Sequence, residues 1–141
     1  MKTFFRFFLG ISFFILVGCE GYNHPNLPKV PVNFTIYPND VSYLDLNWAG
    51  GHMYFTGGVN GIVVYRLTDD QFLAFERACP YDWDDEDEPR VSVEADGITL
   101  KCVKCGSLFK ILDGSVITGP SKYFLQRYNT KYDGMILRVH N

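Results

Sequence analysis

Beyond residue 31, apolar and polar positions alternate in short runs broken by turn residues, the period-two signature of strands rather than helices. "VNFTIYP", residues 32–38, is the first such run, and Pro38 closes it. "VSYLDLN", residues 41–47, predicts a further extended piece, and the glycine pairs Gly50-Gly51 and Gly57-Gly58 flank a short strand in "HMYFT". "GIVVYRL" and "QFLAFER" are joined by Thr68-Asp69-Asp70 and predict a hairpin. The same grammar recurs around Asp-Gly turns. "RVSVEA" and "ITLKC" flank Asp96-Gly97, "SLFKIL" and "SVITG" flank Asp113-Gly114, and "FLQRYNTKY" and "MILRVH" flank Asp133-Gly134. No stretch in this region holds a 3.6-residue period. The pattern predicts an all-β fold in one domain, residues 32–141: an antiparallel meander or a small barrel. Tyr65, Phe72, Phe75, Phe109, Tyr123, Phe124 and Tyr128 fall on strand-like segments and are expected in its core.

The N-terminus follows a different rule. Lys2 and Arg6 precede an apolar run, Phe7 to Val17, which is too short to cross a bilayer comfortably. The run ends in "LVGC", Leu16 to Cys19, which resembles the lipobox of bacterial lipoproteins. That resemblance implies a lipoprotein signal peptide over residues 1–18, lipid attachment at Cys19 and a place on the membrane of the bacterial cell envelope. Residues 19–31 contain Pro25, Pro28 and Pro31 and are expected to be the lipidated tether. Cleavage before Cys19 leaves 11 basic against 16 acidic side chains, a formal charge of −5. Such a chain is a poor ligand for nucleic acid or anionic headgroups, so the lipid is the expected membrane contact.

Six acids crowd "DWDDEDE", residues 82–88, in a connection between two predicted strand pairs. The spacing lacks the turn glycine of an EF-hand loop, and the segment reads as a solvated acidic loop. Trp83 within it is expected either to fold back over the neighbouring cysteines or to meet a partner. There is no phosphate-cradling glycine loop and no nucleophile elbow, so hydrolase chemistry has no support.

The chemistry lies in the cysteines. With Cys19 lipidated, Cys79, Cys102 and Cys105 remain, an odd number in an exported chain. Cys102 and Cys105 in "CVKCGSLF" have the spacing of half a zinc site or of a redox dithiol. Thiol exchange of the thioredoxin kind needs a helix after the first cysteine, whereas a turn and a strand follow here.

The order Cys79-Pro80-Tyr81, an acidic loop, a strand pair, "CVKCGSLF", "DGSVITGP" and a final hairpin resembles the Rieske domain over roughly residues 55–141. The resemblance implies an antiparallel Rieske-like barrel or sandwich whose hairpin loops carry the cysteine boxes. It also implies a [2Fe–2S] cluster used in electron transfer, and a Gly-Pro loop that covers it. Cys79 and Cys102 match the family's cysteine positions, and Tyr81 and Cys105 match its two histidine positions. His24, His52 and His140 lie away from both boxes, so the His₂Cys₂ centre of that family cannot form.

Three readings stay open. The first is a changed [2Fe–2S] centre with Cys79, Cys102, Cys105 and an oxygen from Tyr81 or Asp82; the second is Zn²⁺ on the same groups. The third is a disulfide from Cys79 to Cys102 or Cys105. Functionally the choice is between an electron-transfer lipoprotein with an unidentified redox or envelope partner and a cluster-free, disulfide-stabilised interaction or structural module.

Overall fold

A computed structural model describes residues 23–141. The signal segment and Cys19 lie outside the described residues, and among those described no helix is long and apolar enough to cross a membrane. The expected hairpins form. β1 (Asn33–Ile36), β2 (His52–Phe55), β3 (Ile62–Arg66), β4 (Phe72–Glu76), β9 (Arg127–Tyr132) and β10 (Leu137–His140) make a six-stranded antiparallel sheet. Its order is β1-β10-β9-β4-β3-β2. β5 (Val91–Val93), β6 (Thr99–Cys102), β7 (Leu108–Lys110) and β8 (Val116–Thr118) form a second sheet of four strands in sequence order. The architecture is all-β and antiparallel, as the alternation requires.

Each Asp-Gly pair sits at a hairpin turn for a local reason. The aspartate side chain accepts from backbone N–H groups two or three residues on, as Asp96 does from Ile98 and Thr99. Gly97 then takes φ +70°, which a side chain disfavours. One expectation fails: residues 41–46 form a short 3₁₀ turn, not an extended piece. Asp40 caps it by accepting from the Ser42 N–H at 2.8 Å, so local side-chain capping outweighs the apolar alternation of "VSYLDL".

β3 and β4 are buried along their whole length because their two faces serve two cores. Val63, Tyr65, Leu73 and Phe75 face the four-stranded sheet and pack with Val91, Leu100, Phe109, Ile111 and Leu125. Ile62, Val64, Phe72 and Ala74 point the other way, onto Val32, Ile36, Leu46, Tyr128, Leu137 and Val139. This accounts for the unbroken apolar run "GIVVY": a strand with both faces covered has no position to give to water. The first of these cores also contains Cys79 and Cys102, which places the cysteine loops at its edge.

Part of the segment read as tether lies against the domain. Asn23 bridges to Phe124, Leu27 is buried, and the His24 ring packs edge-on against Tyr123 at 4.6 Å and Trp83 at 6.2 Å. Trp83 is thereby folded back and half-buried.

Candidate metal centre

Two loops build the site. The first leaves β4 at Glu76, carries Cys79 and Asp82, and is pinched shut where Ala78 bridges Arg90 and the Cys79 N–H donates to the Pro89 carbonyl. The second is the tight connection between β6 and β7. There the Gly106 N–H donates to the Cys102 carbonyl at 3.0 Å and the Cys102 N–H to the Ser107 carbonyl at 2.9 Å. Gly106 takes φ +76°, which lets the chain reverse directly after Cys105. The acidic loop supports the second loop: Lys104 forms ion pairs of 2.9 Å with both Asp85 and Asp87.

The result is a group of four donors. Cys79 Sγ, Cys102 Sγ, Cys105 Sγ and an Asp82 carboxylate oxygen all lie within 4.8 Å of one another. Cys79 Sγ and Cys105 Sγ are 3.5 Å apart, and Cys102 Sγ stands 3.7 Å from Asp82 Oδ1. Cys79, Cys102 and Asp82 are buried and Cys105 is half-buried, and the three sulfurs are not bonded to each other. Burial, first, and contact with Asp82 raise the Cys79 thiol pKa well above its ordinary value; burial raises that of Cys102 as well. For Cys79 and Cys102 the thiol is therefore favoured over the thiolate without a cation, and a bound metal reverses that preference by taking thiolates as ligands.

The sequence places these groups unevenly. Cys79, Cys102 and Cys105 come together as the motif spacing suggests. Tyr81 is not buried with them; it is 56% exposed. Of the two oxygen donors left open, Asp82 is the one brought among the sulfurs. Among the described residues no histidine belongs to the group. Cys19 lies outside the described residues.

Two supporting residues come from the turn after Cys105 and from the Gly-Pro loop that the resemblance implies. Ser107, fully buried, places its hydroxyl 3.1 Å from Cys105 Sγ and accepts from the Ser121 N–H at 3.1 Å. Gly119 seals this arrangement: a Cβ there would stand 2.5 Å from Ser107 Cα, so the Gly-Pro loop can lie over the second cysteine loop only because the residue is glycine. A second buried polar node lies close by in sequence. The fully buried Glu76 carboxylate accepts from the Val59, Asn60 and Ala78 N–H groups and from the Tyr128 hydroxyl at 2.7–2.9 Å. Its only trace in the sequence is the lone acid ending "FLAFE".

No protein-family model matches the chain, and no curated protein sequence does. The structure is similar to the ferredoxin of carbazole 1,9a-dioxygenase from Nocardioides aromaticivorans IC177, with a TM-score of 0.50 at 17% identity. That match covers 79% of this chain and 97% of the ferredoxin. A protein assigned as the small subunit of an NADH-dependent nitrite reductase from Mycobacterium tuberculosis gives a TM-score of 0.48 at 16% identity, over 80% and 97% of the two chains. At such identities the likeness is one of fold, and the fold is Rieske-like. The donor set is not the two-cysteine, two-histidine set of a Rieske cluster, since among the described residues no histidine belongs to it.

Proposed function

We propose that this chain is a membrane-anchored lipoprotein of the bacterial cell envelope whose Rieske-like domain holds a metal centre between its two cysteine loops and works as a one-electron carrier. The observation that carries the reading is the convergence of three sulfurs and one carboxylate, within 4.8 Å, at the loop ends of a ferredoxin-like fold. The "LVGC" motif at residues 16–19 supports the anchor, and the formal charge of −5 after cleavage leaves the lipid as the membrane contact. Its partners are then redox proteins of the envelope that give and take single electrons. Thiolate ligands donate charge to a metal and hold its potential low, and the carboxylate of Asp82 adds to that effect.

The experiment is purification of the full chain from its native membrane, followed by iron analysis and a reductive titration. The expected protein is coloured, contains iron and bleaches reversibly on one-electron reduction. Colourless, iron-free protein defeats the carrier reading. The 3.5 Å contact between Cys79 and Cys105 favours one alternative specifically, a disulfide between the two loops in a metal-free interaction module. Intact-mass analysis that finds this bond in natively prepared protein decides for the alternative. Anchoring is tested separately: Cys19→Ser is expected to move the protein from the membrane to the soluble fraction.

A further inference from the structure

The distances between the donors bear on how many metal ions they hold. In the family pattern Cys79 and Cys102 share one iron, while the positions occupied by Tyr81 and Cys105 serve the other. A two-iron cluster interposes two metals and their bridging sulfides between such pairs, which sets ligands of different irons about 5 Å or more apart. Here Cys79 and Cys105, matched to different irons, have their sulfurs only 3.5 Å apart, and no two of the four donor atoms are more than 4.8 Å apart. Cys102 and Asp82, the latter in place of Tyr81, are 3.7 Å apart.

A single ion asks for something else. Two ligands about 2.3 Å from one tetrahedral centre stand roughly 3.8 Å from each other, slightly less when one is oxygen. The 3.5 Å and 3.7 Å contacts match that requirement.

We infer that the site holds one tetrahedral metal ion, bound by Cys79 Sγ, Cys102 Sγ, Cys105 Sγ and one Asp82 carboxylate oxygen, in place of a two-iron cluster. Soft thiolates in tetrahedral array select iron or zinc over hard cations. The inference rests on the metal-centre reading above, and iron is the ion that lets the site carry electrons. The surroundings suit a single compact ion. The Ser107 hydroxyl lies against Cys105 Sγ and is itself fixed by the Ser121 N–H, so the most exposed sulfur is oriented from outside the site. Lys104, clamped by Asp85 and Asp87, ties the second cysteine loop to the first and holds the donor pairs close together.

The test uses the full chain in detergent, prepared from native membrane, with metal and acid-labile sulfide counted per chain. One ion and no labile sulfide is the expected result. Two irons with two sulfides overturn the inference and leave the metal-centre reading standing. One zinc per chain upholds the single-ion site and removes electron transfer. No metal, with a Cys79–Cys105 disulfide, defeats both. Cobalt(II) added to metal-stripped protein gives a second readout, through the visible bands of a tetrahedral thiolate site. Asp82→Ala is expected to weaken cobalt affinity at least about tenfold, and Tyr81→Phe to leave it within about twofold. The reverse order of effects would overturn the assignment of Asp82.

Discussion

Two carboxylates are buried within six residues of each other in sequence, and they are treated in opposite ways. Glu76 is fully buried and receives four hydrogen bonds, three from backbone N–H groups and one from the Tyr128 hydroxyl. Asp82 is 7% exposed, and the side chains against it are thiols, with Cys102 Sγ at 3.7 and 4.0 Å from its two oxygens. A buried charge persists only where donors or a metal compensate it. Glu76 has its compensation from the protein alone. Asp82 has only thiols, which are weak donors, against it, and under the proposed function a cation supplies the rest of its compensation. The difference separates a carboxylate that the fold satisfies by itself from one that the proposed metal centre would satisfy.

The comparison breaks most visibly at Glu76. Glu76→Ala leaves the Val59, Asn60 and Ala78 N–H groups and the Tyr128 hydroxyl facing an empty, dry space. Orphaned buried donors cost about 1–3 kcal/mol each, though not additively, so a loss of about 3–5 kcal/mol is expected. Denaturant titration with and without metal should give the same deficit in both. A deficit that disappears in metal-loaded protein would place Glu76 in the functional site rather than the scaffold. Asp82→Ala should do the opposite: metal-free protein should unfold within about 1 kcal/mol of the parent, because the interactions lost are those with thiols, which are weak donors, while the stabilisation that metal confers shrinks.

Gly119→Ala lies between these two. The added Cβ meets Ser107 Cα at 2.5 Å, and the residue holds φ +113°. A cost of about 1–3 kcal/mol is expected from strain and from displacing the Gly-Pro loop. Because Ser107 also contacts Cys105 Sγ, the same variant should raise the rate at which thiol reagents modify Cys105 in metal-free protein. Lower stability with unchanged Cys105 reactivity would show that the loop shields the backbone alone.

How much of this was written in the sequence depends on whether a feature is local. The Asp-Gly hairpins were legible because the aspartate accepts from N–H groups two or three residues on and the glycine takes positive φ; both causes lie inside the turn. The strands β3 and β4 were legible as a hairpin, whereas the burial of both their faces depends on the two sheets and cores they lie between. The 3₁₀ turn at 41–46 was missed because one Asp40 cap overrode the apolar alternation. At the site the three cysteines announced themselves by residue type, but the choice of Asp82 over Tyr81 is a matter of which side chain turns inward at the pinched base of the acidic loop. That pinch is made by Ala78 with Arg90 and Cys79 with Pro89, pairs 12 and 10 residues apart, which no short motif records. Glu76 was illegible for the same reason, since three of its four donors come from a loop 16–17 residues upstream and a strand 52 residues downstream.

The smallest effect sharpens the comparison from the side of pH. Burial, first, and the hydrogen bond to Glu76 raise the Tyr128 phenol above its ordinary value of 10.0 in the folded chain. A group with a raised folded pKa favours the native state at every pH below its unfolded value. That contribution fades as pH climbs from about 10 toward the folded value, because the unfolded chain then releases a proton which the folded chain retains. Alkaline destabilisation of metal-free protein is therefore expected to begin near pH 9, where the unfolded chain releases thiol protons that buried Cys79 and Cys102 retain, and to steepen above pH 10 through the scaffold node. Tyr128→Phe removes the titrating hydroxyl while three backbone donors remain on Glu76, so the variant should lose stability at neutral pH and show a flatter decline above pH 10. Thermal unfolding of metal-free parent and variant between pH 7 and 11 measures both slopes. Parallel slopes would transfer the alkaline titration to another group, the buried thiols of the cysteine loops being the next in line.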